Sequence, residues 1–255
     1  MQISKNKIKW MRSLLLKKNR TKEAVFVAEG RKMVSDLMPF FECVCCYVVE
    51  ELHPELLSLS LRCSEWIVVD DIQEINKISS LKTPPKVVAV FKQKETVIPS
   101  VESCLDCLSL ALDTIQDPGN MGTIIRLADW FGIRHIFCSK ETVDVYSPKC
   151  VQSTMGALSR VSIHYLELDK WLEELNQVNV PIYGTFLDGE SIYSQKLSTC
   201  GIIVMGNEGN GVSQEVSQFI NRKLLIPNYP IGTQTSESLN VAVATGIVCS
   251  EFRRR

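Results

Sequence analysis

The sequence predicts an α/β protein: a larger C-terminal domain on a mostly parallel sheet covered on both faces, preceded by a small α/β sandwich. Two observations predict the fold class. Short apolar runs alternate with amphipathic segments along the 255-residue chain, the pattern of strands joined by helical crossovers. Runs such as 43–49 and 202–205 are apolar enough to read as buried strands. A third observation divides the chain. Between 92 and 102 the alternation lapses into Lys-Gln-Lys-Glu-Thr-Val-Ile-Pro-Ser-Val-Glu, whose polar residues and Pro99 read as a linker. The expected domains are therefore 1–95 and 107–255, joined by 96–106.

Taken in order, residues 4–19 read as one helix, with Ile8, Met11, Leu14 and Leu15 on its apolar side and lysines opposite. A strand 24–28, a helix 29–38 and a buried strand 43–49 follow. A short helix near 54–59, a strand 66–69, a helix opened by Asp70 or Asp71 and a strand 86–91 complete the first domain. The second begins with strand 107–112 and a helix 120–131, then strand 135–138 and a helix over about 148–158. A helix around 170–177, strands 181–186 and 201–205, a helix from Ser213, a strand 223–226 and a final helix over about 238–252 close the chain.

No stretch of eighteen apolar residues exists, so no membrane-spanning helix is expected, and the first ten residues lack the apolar run of a signal peptide. The ten cysteines are scattered, and Cys104-Leu-Asp-Cys107 has neither a second pair nor a nearby histidine to complete a zinc site. They read as small hydrophobes in a reducing cytoplasm, with no metal expected. Net charge is only −1, but Lys5, Lys7, Lys9, Arg12, Lys17, Lys18, Arg20, Lys22, Arg31 and Lys32 crowd the first 32 residues against Glu23 and Glu29, and Arg253–Arg255 end the chain. Such a segment could track a phosphate backbone, although charge alone slightly favours a solvated helix face.

Three stretches carry chemistry. In 112–132 a strand ends, Asp117-Pro-Gly119 turns, and a helical pattern begins at Asn120, a favoured cap; Arg126 projects from its first turns near the carboxyl end of the strand, where open α/β sheets place ligands. An ordinary crossover with a solvated arginine fits this stretch equally well. In 202–213 a buried strand runs into Gly206-Asn-Glu-Gly-Asn-Gly211, whose glycines let a ligand lie against the main chain; the spacing is neither a dinucleotide nor a P-loop fingerprint. In 224–246 a strand ends at Ile226, Pro227 and Pro230 prevent a helix, and Ser238-Leu-Asn240 opens a helix of small residues, with simple capping as the plain reading of Ser238 and Asn240.

In their order, Asn120-Met-Gly-Thr-Ile-Ile-Arg126, Met205-Gly-Asn-Glu-Gly-Asn-Gly211 and Ile226-Pro with Ser238-Leu-Asn-Val-Ala242 resemble the signature of the SpoU (TrmH) family of RNA 2′-O-ribose methyltransferases, in the SPOUT superfamily. Residues 147–157 resemble the family's helix after the third strand. The resemblance is firm over 107–252; residues 1–95 more loosely resemble the L30e-like RNA-binding domain often fused in front. It implies a deep trefoil knot in which about 224–252 threads through a preceding loop, S-adenosyl-L-methionine as cofactor, and a homodimer. By correspondence, Gly206, Ile226 and Leu239 would contact the cofactor, with Thr185, Asn207 and Gly211 close by. Leu239 follows Ile226 by thirteen positions, a longer loop than in shorter members of the family.

Methyl transfer to a ribose hydroxyl requires positioning and removal of a proton. The resemblance assigns activation of the 2′-OH to Arg126. A guanidinium holds its proton to a pKa above about 12, so Arg126 is either a base in a special environment or a phosphate clamp beside another acceptor. Asn120, Glu208, Ser238 and Asn240 would orient Arg126 and the ribose. The expected substrate is structured RNA, ribosomal RNA (23S-type) ahead of tRNA. Alternatives are a tRNA 2′-O-methyltransferase, a base methyltransferase of the same superfamily, a non-catalytic knotted RNA-binding or ribosome-assembly protein, and a small-molecule α/β enzyme.

Overall fold

The computed structural model describes residues 1–59, 63–95, 97–230, 233, 236 and 238–254. In chain order it contains α1 (Lys5–Ser13), α2 (Lys17–Glu23), β1 (Val25–Glu29), α3 (Arg31–Leu37), β2 (Cys43–Val49), α4 (His53–Leu59), β3 (Trp66–Val69), α5 (Ile72–Asn76) and β4 (Val87–Lys92). There follow β5 (Leu108–Leu112), α6 (Pro118–Trp130), β6 (His135–Ser139), α7 (Pro148–Thr154), β7 (Ser162–Leu166), α8 (Leu168–Gln177), β8 (Ile182–Ser191), β9 (Gly201–Met205), α9 (Gln214–Ser217), β10 (Arg222–Leu225) and α10 (Val241–Arg254). The chain forms two compact units, one of Met1–Glu95 with Asp144–Ser159, the other of Thr96–Val143 with Arg160–Arg255.

The first unit holds a four-stranded sheet in the order β1-β4-β2-β3. β4 runs antiparallel to β1 and β2, and β3 parallel to β2. Its core packs Met11 and Leu14 of the N-terminal segment against Val27, Cys45, Tyr47, Val69 and Val90. The single helix expected over 4–19 is instead two, broken at 14–16, for a reason that the local pattern does not carry. Arg20 is 2% exposed. Its guanidinium donates to the carbonyls of Leu14 (2.7 Å) and Leu15 (2.8 Å), orphaned where α1 stops, and to Asp144 (2.6 Å). Arg20 therefore leaves the expected basic face. Lys7, Arg31 and Lys32 are paired with Glu65, Glu55 and Asp36, whereas Lys5, Lys9, Lys17, Lys18 and Lys22 are exposed.

The second unit is a six-stranded sheet, β10-β8-β9-β5-β6-β7, with every neighbouring pair parallel. Its apolar runs pack Ala111, Phe137, Ile182 and Val204 against Trp171, Leu172 and Leu175 of α8. β7 has no counterpart among the expected strands; its His164 is buried and stacks on Phe137 with ring centroids 5.1 Å apart. β5 and β9 lie side by side in register from Leu108 opposite Gly201 to Leu112 opposite Met205. The loops after these two strands therefore leave the sheet together at its carboxyl edge. The fold is the α/β, mostly parallel architecture that the sequence predicts. No described helix is long and apolar enough to cross a membrane. Of the lengthened loop, Ile231, Gly232, Gln234, Thr235 and Glu237 lie outside the described residues, as does Arg255.

Candidate active site

The site grows from the adjacency of β5 and β9. Beyond Leu112, Asp113 donates its N–H to the Met205 carbonyl at 2.9 Å, and its buried carboxylate accepts from Ser213 N–H at 2.7 Å. Thr114 sits at φ +58°, which a non-glycine residue adopts only when its surroundings hold it. Ser139 Oγ accepts its N–H at 3.0 Å, and Asn207 Nδ2 donates to its carbonyl at 2.7 Å. The first loop is thereby tied to the second.

Helix α6 starts earlier than the sequence suggested. Its cap is Asp117, whose side chain accepts from Asn120 N–H at 2.9 Å, with Pro118 in the first turn. Asn120 is thus not the cap, and its amide is free for other work. It donates from Nδ2 to Glu208 Oε1 at 3.0 Å and accepts on Oδ1 from Asn240 Nδ2 at 3.0 Å. Glu208 also accepts from the N–H groups of Gln116 and Asp117, both at 3.1 Å. Partial burial alone would push this carboxyl up, but the bonds from Asn120 and the backbone outweigh it and hold the group below the usual carboxylate range. Asn240 accepts on Oδ1 from Ala242 N–H (3.0 Å) and Val243 N–H (3.2 Å), so it caps α10; the helix begins at Val241 and Ser238 precedes it. One residue from each sequence stretch therefore joins a single chain, Glu208–Asn120–Asn240.

Beside this chain opens a cavity of about 490 Å³. Thr185, Gly206, Asn207, Glu208, Gly211, Ile226, Ser238 and Leu239 line it together with Leu187, Met205 and Leu225. All six residues expected at a cofactor thus meet at one cavity. Asn207 also has a structural task, since its Oδ1 accepts from Gly209 N–H (2.9 Å) and Asn210 N–H (3.0 Å). Gly206 is required by space: a Cβ there would stand 2.2 Å from the Gly211 carbonyl carbon. Gly211 is required by conformation, at φ +70°. Arg126, two turns into α6, is exposed and makes no hydrogen bond or ion pair to a described residue. Sequence reasoning missed Asp113 and Asp117. An aspartate at the end of an apolar run and an Asp-Pro pair before a helix were the signals for them. No group of three or more metal-ligating side chains occurs among the described residues.

A parallel sheet with a glycine-walled cavity at its carboxyl edge, beside a carboxylate–amide chain, defines a nucleotide-type ligand site of the α/β class. The SpoU rRNA methylase family model matches residues 107–250, and the chain belongs to that family. Residues 5–89 match the MRM3-like substrate binding domain. The chain is 29% identical over 250 residues, 97% of its length, to the 23S rRNA (guanosine(2553)-2′-O)-methyltransferase RlmP of Bacillus subtilis, covering 96% of that protein. It superposes with a TM-score of 0.88 on a TrmH-family protein of Porphyromonas gingivalis, at 39% identity and full coverage of both chains. An AdoMet-bound rRNA methyltransferase from Sinorhizobium meliloti follows it with a TM-score of 0.84 at 27% identity, over 100% of this chain and 97% of that one.

Proposed function

We propose that this chain transfers a methyl group from S-adenosyl-L-methionine to a ribose 2′-OH of ribosomal RNA of the 23S type, with residues 1–95 holding the RNA. The observation that carries this reading is the joining of Glu208, Asn120 and Asn240 at a cavity lined by every expected cofactor residue. The cavity's volume suits a cofactor of this size, for ligand pockets run from about 300 to 1,000 Å³. Its apolar Met205, Leu225, Ile226 and Leu239 suit a flat base, and its glycine walls leave main-chain groups within reach. When bound, S-adenosylmethionine supplies an electrophilic methyl group on a sulfonium.

The residues do the rest. Arg126, having no protein partner among the described residues, is available to an RNA phosphate and can fix the 2′-OH in line. Of its two expected roles, the clamp is favoured, because Arg126 is exposed and has no hydrogen-bond or ion-pair partner among the described residues, which leaves its planar fork open to a phosphate. Glu208 and Asn240 hold Asn120 on the α6 side of the cavity, and Ser238 stands on its wall. The protein works as a homodimer in the cytoplasm; its ten free cysteines suit a reducing compartment. The test is incubation of the full chain with labelled S-adenosylmethionine and either unmodified 23S-type rRNA or tRNA. Alkali-resistant label in the rRNA is expected; label on a base, or only in tRNA, would replace this reading with one of the alternatives.

A further inference from the structure

The sequence marks Cys43, Cys45, Cys46 and Cys63 as an unusual concentration of thiols, and the proposed chemistry uses none of them. They are not equivalent. Cys45 and Cys46 are inside the first unit, 3% and 0% exposed, and burial pushes both thiols above their ordinary range. Cys43 is also fully buried, but it stands directly opposite Cys63 in a parallel bridge that extends the β2–β3 pairing beyond the end of β3. Neighbouring strands lie about 4.8 Å apart, inside the 4.4–6.8 Å that a disulfide spans between Cα atoms. The two side chains leave the same face of the sheet, as directly opposed residues of neighbouring strands do.

The pair is also polarised. Cys63 is half-exposed and its thiol donates to the Glu65 carbonyl at 3.3 Å. The neighbouring Cys43 thiol favours the anion on Cys63 and holds its thiol below the ordinary value, while the same neighbour and burial push Cys43 well above. One sulfur is therefore reachable and the more easily ionised, and the other is a protonated neighbour sealed from solvent. That is the division of labour between an attacking and a resolving thiol.

We propose that Cys43 and Cys63 form a reversible, peroxide-sensitive disulfide in the first unit. The Cys63 thiolate attacks a hydrogen peroxide oxygen; the O–O bond breaks, hydroxide leaves and takes a proton, and Cys63 carries a sulfenic acid. Cys43 then gives up its proton as its sulfur bonds to Cys63, and a second water leaves. In sum, two thiols and one peroxide become one disulfide and two waters, and a dithiol reductant reverses the change. The bond closes the segment 43–63, which carries α4 and the connection to β3.

The full chain, reduced and then treated with hydrogen peroxide, is read by intact mass and by peptide mapping under non-reducing conditions. The expected result is loss of the mass of two hydrogens, one new cross-linked peptide joining Cys43 to Cys63, and full recovery on adding dithiothreitol. Cys63→Ser, at a half-exposed position, should fold normally by circular dichroism and lose the cross-link. Three results overturn the proposal: Cys63 gaining two or three oxygens while Cys43 stays a free thiol, a cross-link through Cys45 or Cys46 instead, or a mass unchanged by peroxide that oxidises free cysteine under the same conditions.

Discussion

Replacing Glu208 with glutamine tests the site by a change of two atoms' chemistry. The carboxylate accepts from three donors: Gln116 N–H, Asp117 N–H and Asn120 Nδ2. A glutamine can turn its oxygen towards Asp117 and Asn120, but its NH₂ then faces Gln116 N–H, donor against donor. One charge-assisted bond is lost, worth about 1.5–3 kcal/mol, and the remaining two become neutral. Because the site is partly exposed, the lower part of that range applies, and about 2 kcal/mol of loop order is lost. At about 1.4 kcal/mol per tenfold, methyl transfer slows roughly thirtyfold under single-turnover conditions with saturating cofactor. The wild type behaves like the mutant only in acid. Glu208 is depressed in the folded protein, so the order it contributes is present above the ordinary carboxylate range and is lost as pH falls through its lowered folded value. A Glu208→Gln enzyme that transfers methyl within twofold of wild type at pH 7 would refute this account of the network.

Three further outcomes are expected. Gly206→Ala puts a Cβ 2.2 Å from the Gly211 carbonyl carbon and 2.3 Å from Val212 N, backbone that cannot swing aside, so S-adenosylmethionine affinity by calorimetry falls at least about tenfold while circular dichroism stays native. Arg20→Met leaves Asp144 Oδ2 and two carbonyls without their Arg20 donor; removing one partner of a buried pair costs about 3–5 kcal/mol, lowering the melting temperature by roughly 10 °C, and a loss under about 2 °C would contradict the structural role. His164 is held down to about 4 from 6.5 by burial and by His135, 3.2 Å away ring to ring. Since the unfolded chain binds the proton first, the stability from neutral His164 is complete above about pH 6.5 and lost as pH falls towards 4. Urea titrations should therefore show stability falling over that window, by at most about 3 kcal/mol, with His164→Phe flattening the slope.

Which features were legible in the sequence follows from where their causes lie. The parallel sheet was legible because strands such as 201–205 are uniformly apolar and end at turn residues, and burial on both faces leaves that mark. β7 was not, because Ser162-Ile-His-Tyr-Leu carries a histidine whose burial depends on stacking against Phe137 and bonding to His135, partners on another strand. The break between α1 and α2 was hidden for a similar reason: the apolar spacing runs on through Leu14 and Leu15, and the residue that ends α1 is an arginine six positions ahead. That arginine also misled the charge reading, since sequence counts Arg20 as basic surface whereas it is spent inside the unit. The cap of α6 was available, in Asp117-Pro118, but Asn120 drew the assignment because its residue type suits both roles. At the site, sequence supplied the residue types and the resemblance their grouping. Only the fold brings Asn240 within 3.0 Å of Asn120 across 120 residues, and only the register of β5 with β9 explains how Glu208 reaches Gln116 and Asp117.

The proposed function turns on Arg126 placing an RNA ribose beside the cavity lined by Gly206, Ile226 and Leu239. Its most direct test compares wild type with Arg126→Ala in two assays on the same preparations: S-adenosylmethionine binding, and transfer of labelled methyl to unmodified 23S-type rRNA with mapping of 2′-O positions. Arg126 makes no hydrogen bond or ion pair to a described residue and is not among the residues that line the cavity, so equal cofactor affinity is expected, with a transfer rate lowered at least about a hundredfold, as for loss of a group that positions the reactants. Undiminished 2′-O-methylation by Arg126→Ala, or loss of cofactor binding along with transfer, would contradict it.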